Sequence, residues 1–341
     1  ATSNVFQREG CGWRNPNGVG MVTIGDVNGE AKFGEFPWMV AVLKYHIGGG
    51  SLIHQSVVVT GAHVVLAPTS AGRLMVRAGE WDTQTTKEPY PHQDRDVGNS
   101  IFLGNLANDI ALLFLNLPMM MTPNVGLVCL PALGQTTPPG TRCLASGWGK
   151  DQFGEIGKYQ VILKKLELPV VGSQSCQKRL RMTRLSPYFN LDPSFMCAGG
   201  EGGRDTCVGD GGSPLVCPLQ TDRYVQAGIV AWGIGCGGTT PGVYTDVAKQ
   251  RAWVDEQMTA AGYDTSSYTM KIFTFFLYFN ITDFHNNVQK WNKCVNKNMF
   301  ILVSHFVLFV KLLYLTNNNF IQFNFLINKC VLFNFKLFLI L

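Results

Sequence analysis

No Cys-x-x-Cys pair occurs anywhere in the 341 residues, although the chain holds ten cysteines. That absence argues against a cytosolic thiol-metal site and leaves disulfide bonding in an oxidising compartment as the use for them. The candidate membrane run, Phe300–Leu315, has 16 residues and is interrupted by His305 and Lys311; a span needs about 20 predominantly apolar residues. The first ten residues, ATSNVFQREG, have no apolar leader core. With Cys11 following so closely, the expectation is a processed chain or one cut short at its N-terminus. From Met270 to Leu341 there is no Gly, Ala, Pro, Arg or Glu, and 14 of the 22 Phe fall there. The missing residue types mostly have GC-rich codons and the abundant ones AT-rich codons. The tail therefore reads as translated non-coding sequence, with a membrane anchor as the rival reading. Its seven lysines supply much of the net charge of +5, so that charge says little about an anionic partner.

Before the tail the chain has the punctuation of an all-β fold. Short apolar runs (Met39–Leu43, Val57–Thr60, Leu74–Ala78, Ile110–Leu115, Val161–Leu166 and Gln226–Trp232) alternate with Gly and Pro turns. Val247, Val254 and Met258 lie at helical spacing, which predicts a helix over 246–258. About 240 residues suit one all-β unit.

Three motifs carry chemistry. The run Val57-Val-Val-Thr-Gly-Ala-His63 ends in a histidine, and Asp109 heads the apolar run that follows Asn108. The third is Gly209-Asp210-Gly211-Gly212-Ser213-Pro214. A histidine that removes a nucleophile's proton, held by a buried aspartate, is the machinery of acyl transfer. Alone, His63 reads more readily as a structural histidine and Asp109 as a turn residue. Together and in this order, the motifs resemble the chymotrypsin-like serine proteases, over about Gly20 to Gly262. The resemblance implies an all-β chymotrypsin-like double six-stranded β-barrel with a short C-terminal helix. It implies three segments: 1–19 as a light-chain remnant with Cys11, 20–262 as the protease-like domain, and 263–341 as an atypical Phe/Asn/Lys-rich tail, not a native folded domain.

The family pattern GDSGGP stands here as GDGGSP, so Gly211 occupies the position of the nucleophile. Glycine has no hydroxyl, and loss of the serine in a comparable enzyme costs about 10⁶-fold in turnover. Ser213 is two residues away, about 6–7 Å along extended chain, beyond reach of a base at this position. The expectation is that no catalytic residue functions, with His63 and Asp109 kept as a scaffold pair. Asp205 matches the pocket-base aspartate of enzymes that select Arg or Lys, and Gly233 and Gly242 match the glycines that keep that pocket open. The amides of Gly209 and Gly211 match the oxyanion hole, which needs only backbone N–H groups. Whether the pocket binds or merely packs is left open. Family activation requires a cut after Arg or Lys, whose new ammonium pairs with the aspartate that here is Asp210. The region Gly18–Asp26 has no Arg or Lys before a plausible cut, so Asp210 is expected to lack that partner.

The resemblance also implies the disulfides Cys11–Cys129, Cys143–Cys217, Cys176–Cys197 and Cys207–Cys236, a connectivity that spacing alone does not give. Cys294 and Cys330 have no evident partners. The family's cysteines at the positions of Gly48 and Val64 are both replaced. Glu80, Asp82 and Glu88 fall where some relatives have a calcium loop, with a solvated acidic loop as the favoured alternative; no cofactor is otherwise expected.

Several further segments narrow the resemblance: residues 10–20, Phe33–Met39, Arg77–Thr83, Tyr90–Asp96 and Lys158–Pro169. They are similar to the arthropod clip-domain serine protease homologues of masquerade-like and prophenoloxidase-activating-factor type. The expectation is a secreted haemolymph protein that works by binding in prophenoloxidase activation. Its implied partners are prophenoloxidase and its activating protease, with microbial surface components as a further candidate, and no nucleic acid or membrane. The alternatives are a weak trypsin-like endopeptidase and a decoy for inhibitors or substrates.

Overall fold

The computed structural model describes residues 9–20, 29–43, 47–66, 73–103, 107–219 and 222–270, and the backbone of strands 320–327 and 331–338. Residues 21–28 of the activation region, Phe300–Leu315, Cys294 and Cys330 lie outside them. The chain divides into two units, Ala1–Lys271 and Ile272–Leu341.

The first unit contains two closed six-stranded antiparallel barrels. One is built from β1 (Met39–Leu43), β2 (Ile47–His54), β3 (Val57–Thr60), β4 (Met75–Ala78), β5 (Gln93–Phe102) and β6 (Ala111–Leu115), in the order β1-β2-β3-β6-β5-β4. The other is built from β7 (Arg142–Gly147), β8 (Lys164–Val171), β9 (Phe195–Gly199), β10 (Pro214–Pro218), β11 (Tyr224–Trp232) and β12 (Pro241–Asp246), in the order β10-β11-β12-β9-β8-β7. A short helix α1 (Ala62–Leu66) follows β3, α2 (Ser173–Arg181) precedes β9, and α3 (Val247–Ala260) closes the unit. This is the chymotrypsin-like double barrel. In the second unit, β13 (Phe320–Ile327) and β14 (Val331–Phe338) pair antiparallel.

Strands β1, β3 and β6 of the first barrel are apolar on both faces, for a reason that burial makes plain. Val40 and Val42 of β1, Val58 of β3 and Leu113 and Leu115 of β6 fill one core cluster. Their sequence neighbours Met39, Ala41, Val57, Val59, Leu112 and Phe114 belong to another, shared with Val216 and Ile229 of the second barrel and Val254 and Met258 of α3. Successive side chains of a strand point to opposite faces, and here neither face meets water. Continuous apolar runs rather than alternation are the result. Tyr268, beyond α3, is fully buried in the shared cluster, and Arg251 beneath it donates to the Pro131 carbonyl at 2.7 Å. Residues 263–270 thus pack onto the barrels.

Between the barrels, Ser51 of β2 donates to Gln226 of β11 at 2.5 Å, both fully buried. The run Gly48-Gly49-Gly50 is needed just there. A Cβ on Gly49 would stand 1.9 Å from the Ser213 Oγ, so only glycine lets the segment before β10 lie against β2.

Candidate functional site

The site lies where the two barrels face each other. Asp109 is set by a turn at Asn108, whose φ of 59° is left-handed, a region asparagine tolerates better than most residues. That turn is held from the second barrel's side: Gln250 of α3 donates to Asn108 Oδ1 at 2.9 Å, and Asn108 N–H donates to Ser194 at 3.0 Å. Asp109 then receives two bonds from His63, the second residue of α1. The His63 backbone N–H donates to Oδ1 at 2.9 Å, and His63 Nδ1 lies 2.6 Å from Oδ2. The Asp109 side chain is 7% exposed and that of His63 32%. Thr245 of β12 donates to the Asp109 carbonyl at 2.7 Å. Backbone and ring of His63 are therefore fixed together, with Nε2 facing away from the carboxylate.

Nε2 faces Gly211. A Cβ on Gly211 would stand 2.4 Å from it and 3.4 Å from Cε1. The imidazole occupies the volume that a side chain at 211 would need. Gly212, at φ 82°, sits against Thr60 Oγ1 and the Gly49 carbonyl, and Gly49 N–H donates to the Gly211 carbonyl at 2.8 Å. Ser213 is turned the other way. Its Oγ is sealed from solvent without a hydrogen-bond partner, packed at the glycine of β2, and the residue is 1% exposed. This orphaned hydroxyl faces glycines and has no base within hydrogen-bond distance among the described residues.

Gly209 adopts φ 102° and lies under Tyr159, whose Cε1 would be 2.7 Å from an added Cβ. Tyr159 is half exposed and carries Lys150 Nζ 5.5 Å from its ring centroid. Neither Tyr159 nor Thr245 stood out in the sequence. Both act through packing between segments far apart in the chain, which no local pattern records.

Asp205 and Asp210 line one cavity of about 460 Å³ together with Gly147, Gly149, Lys164 and Lys165. Desolvation pushes the Asp205 carboxyl up to about 6 against backbone hydrogen bonds from Gly237 and Thr206. Its Oδ1 is sealed and has no hydrogen-bond partner. A Cβ on Gly242 would stand 3.2 Å from that oxygen, whereas one on Gly233 would meet only the Gly235 carbonyl at 3.6 Å. Asp210 accepts from Gly149 N–H at 2.8 Å and Cys207 N–H at 2.9 Å. Desolvation outweighs these bonds and pushes its carboxyl up to about 6 as well. Among the described residues no cation pairs with Asp210.

Four disulfides frame these segments: Cys11–Cys129, Cys143–Cys217, Cys176–Cys197 and Cys207–Cys236. The last joins the Asp205 segment to the Gly233 segment. Gly48 and Val64 stand in contact, with Val64 Cγ1 2.7 Å from an added Cβ on Gly48. The three acidic residues of the 80–88 loop face separate partners. Glu80 accepts from Trp81 N–H at 3.0 Å and Arg77 at 3.2 Å, and lies 3.4 Å from His92 Nδ1. Asp82 caps Gln84 N–H at 3.0 Å, and Glu88 receives Asp82 N–H at 3.4 Å. Among the described residues no three His, Cys, Asp or Glu side chains are grouped to hold a metal ion, and no helix is long and apolar enough to cross a membrane.

Comparison with known proteins places these features in context. The trypsin family model matches residues 27–254. Phenoloxidase-activating factor 2 of Galleria mellonella is 60% identical over 286 residues, which cover 77% of this chain and 93% of that protein. Inactive CLIP domain-containing serine protease A28 of Anopheles gambiae is 41% identical over 265 residues, 73% of this chain and 68% of that protein. Protein masquerade of Drosophila melanogaster is 36% identical over 244 residues, 68% of this chain and 23% of that protein.

Proposed function

This chain belongs to the trypsin family, among its clip-domain serine protease homologues, and from that premise we propose that it is a secreted, non-catalytic cofactor of prophenoloxidase activation. The observation that carries the reading is the Gly211 position. The supporting dyad is complete, yet the imidazole itself stands where a side chain at 211 would begin. A frame kept in such order without its reacting group suits a protein that works by its surface. The buried Ser213 hydroxyl speaks against a weak protease that uses an alternative serine. Four disulfides suit an extracellular setting such as haemolymph. The partners are then prophenoloxidase and its activating protease, in line with the printed name of the Galleria relative.

The test is reconstitution. The full chain is mixed with prophenoloxidase and its activating protease, and phenoloxidase activity is read with and without it. The expected result is a rise in activity while the chain alone hydrolyses no peptide ester and takes up no fluorophosphonate at Ser213. An unchanged rate, or labelling of Ser213, overturns the reading.

A second reading is favoured by one observation: Asp205 lines the cavity of about 460 Å³ and its Oδ1 has no hydrogen-bond partner among the described residues. A decoy that captures substrates or inhibitors would use it. Benzamidine, a small amidine, should then bind the full chain and lose affinity in Asp205→Asn. Absence of binding in calorimetry excludes the decoy.

A further inference from the structure

The segment around α2 carries a charge pattern that the protease-like site does not use. Between Glu167 and Asp192 there is no acidic residue, while Lys178, Arg179, Arg181 and Arg184 follow one another within two turns of chain. Among the described residues none of the four forms an ion pair. Elsewhere Arg14, Arg73, Arg77, Arg142 and Arg251 each face a carboxylate, and Arg95 and Arg204, which form no ion pair with described residues, stand singly rather than in a cluster. Cations at a helix C-terminus complement its dipole, which accounts for part of the cluster but not for Arg184, which lies past the helix end.

The cluster is displayed on a firm platform. Cys176–Cys197 staples α2 to β9, and Leu180 is fully buried beneath the helix. Arg181 donates to the Phe189 carbonyl at 2.7 Å and to Asn190 at 2.8 Å, which pins the returning loop beside it. Ser186 turns that loop at a left-handed φ of 76°. Held there are Met182, 74% exposed, and Tyr188, 88% exposed.

Arg, Tyr and Met together, with Asp and Glu absent, are the side chains enriched in protein–protein interfaces. Guanidinium groups match carboxylates in geometry as well as charge. A linear glycan polyanion would need the cations alone; the exposed Met182 and Tyr188 add apolar anchors. We propose that this face of α2 and the 182–190 loop is a docking surface for an acidic peptide segment of a partner protein, one that alternates carboxylates with apolar side chains. The surface stands independently of the melanisation reading.

The test uses the full chain and a fluorescein-labelled synthetic 12-residue peptide alternating Asp or Glu with Leu or Phe, read by anisotropy. Lys178 and Arg184 make no hydrogen bond with described residues, so Lys178→Ala/Arg184→Ala leaves the fold undisturbed. Its affinity should fall about tenfold and the salt dependence should weaken with it. Tyr188→Ala should lose several-fold, and Lys87→Ala, remote from this face, nothing. Equal binding by all variants overturns the proposal. So does a heparin oligosaccharide that binds through Lys178 and Arg184 while the peptide does not, which would make the surface a glycan site.

Discussion

His63 is held by a carboxylate on one side and faces the missing side chain of Gly211 on the other. That arrangement makes restoration of the serine less simple than the sequence suggests. In Gly211→Ser the new Cβ would stand 2.4 Å from Nε2 of a ring whose backbone and Nδ1 are both tied to Asp109. Overpacking of this kind costs about 1–3 kcal/mol. The variant should melt lower than the parent and remain unlabelled by fluorophosphonate; labelling at the parent's melting temperature would show that the ring withdraws freely. Asp210 supports a prediction about pH. Its carboxyl is pushed up to about 6, above its ordinary 3.8. The folded chain therefore holds a proton that the unfolded chain releases over that interval. The contribution favours folding below about pH 4 and is lost as pH rises through 6. Two units correspond to about 2–3 kcal/mol. Asp210→Asn should accordingly gain stability relative to the parent as pH goes from 5 to 7, measured by urea midpoints. A constant difference across that range would refute the shift.

At the scale of elements, β2 and α1 are clasped by packing alone. Gly48 has no left-handed φ, and its missing Cβ would touch Val64. Gly48→Cys/Val64→Cys should therefore form a disulfide and close a loop of about 15 residues, worth about 3 kcal/mol in the chain-entropy model. Free-thiol titration and the denaturant midpoint check it; a gain of two free thiols would show the geometry unsuited. The elements also show where sequence is informative. The runs Met39–Leu43 and Val57–Thr60 coincide with β1 and β3, because strands buried on both faces write an unbroken apolar signal. Val161–Leu166 anticipated β8 three residues too early: Ile162 makes only an isolated bridge to Asp82, and the ladder with β7 begins at Lys164. Strand β5, Gln-Asp-Arg-Asp-Val-Gly-Asn-Ser-Ile-Phe, has only Gln93 buried, so hydrophobic periodicity had nothing to record. At the site, the residue types in His63, Asp109 and Gly211 were legible as motifs. The filled volume at Gly211 was not, since it depends on a distance between two barrels.

For the molecule as a whole, the disulfides determine what reduction does. They join residues 118, 74, 21 and 29 positions apart. Loops of such lengths are each worth about 3–5 kcal/mol, and together they equal or exceed the entire stability of an ordinary domain, about 5–15 kcal/mol. Dithiothreitol at about 37 °C should therefore abolish the near-UV circular dichroism in full; a reduced chain that keeps its tertiary signal would show that the barrels suffice. The imidazole beside Gly211 has a last consequence. A hydroxyl placed at 211 alone would meet the ring first, so a side chain able to act as a base would act instead as a plug. Among the described residues Asp210 also has no cation partner, so protease activity is expected to need more than one substitution.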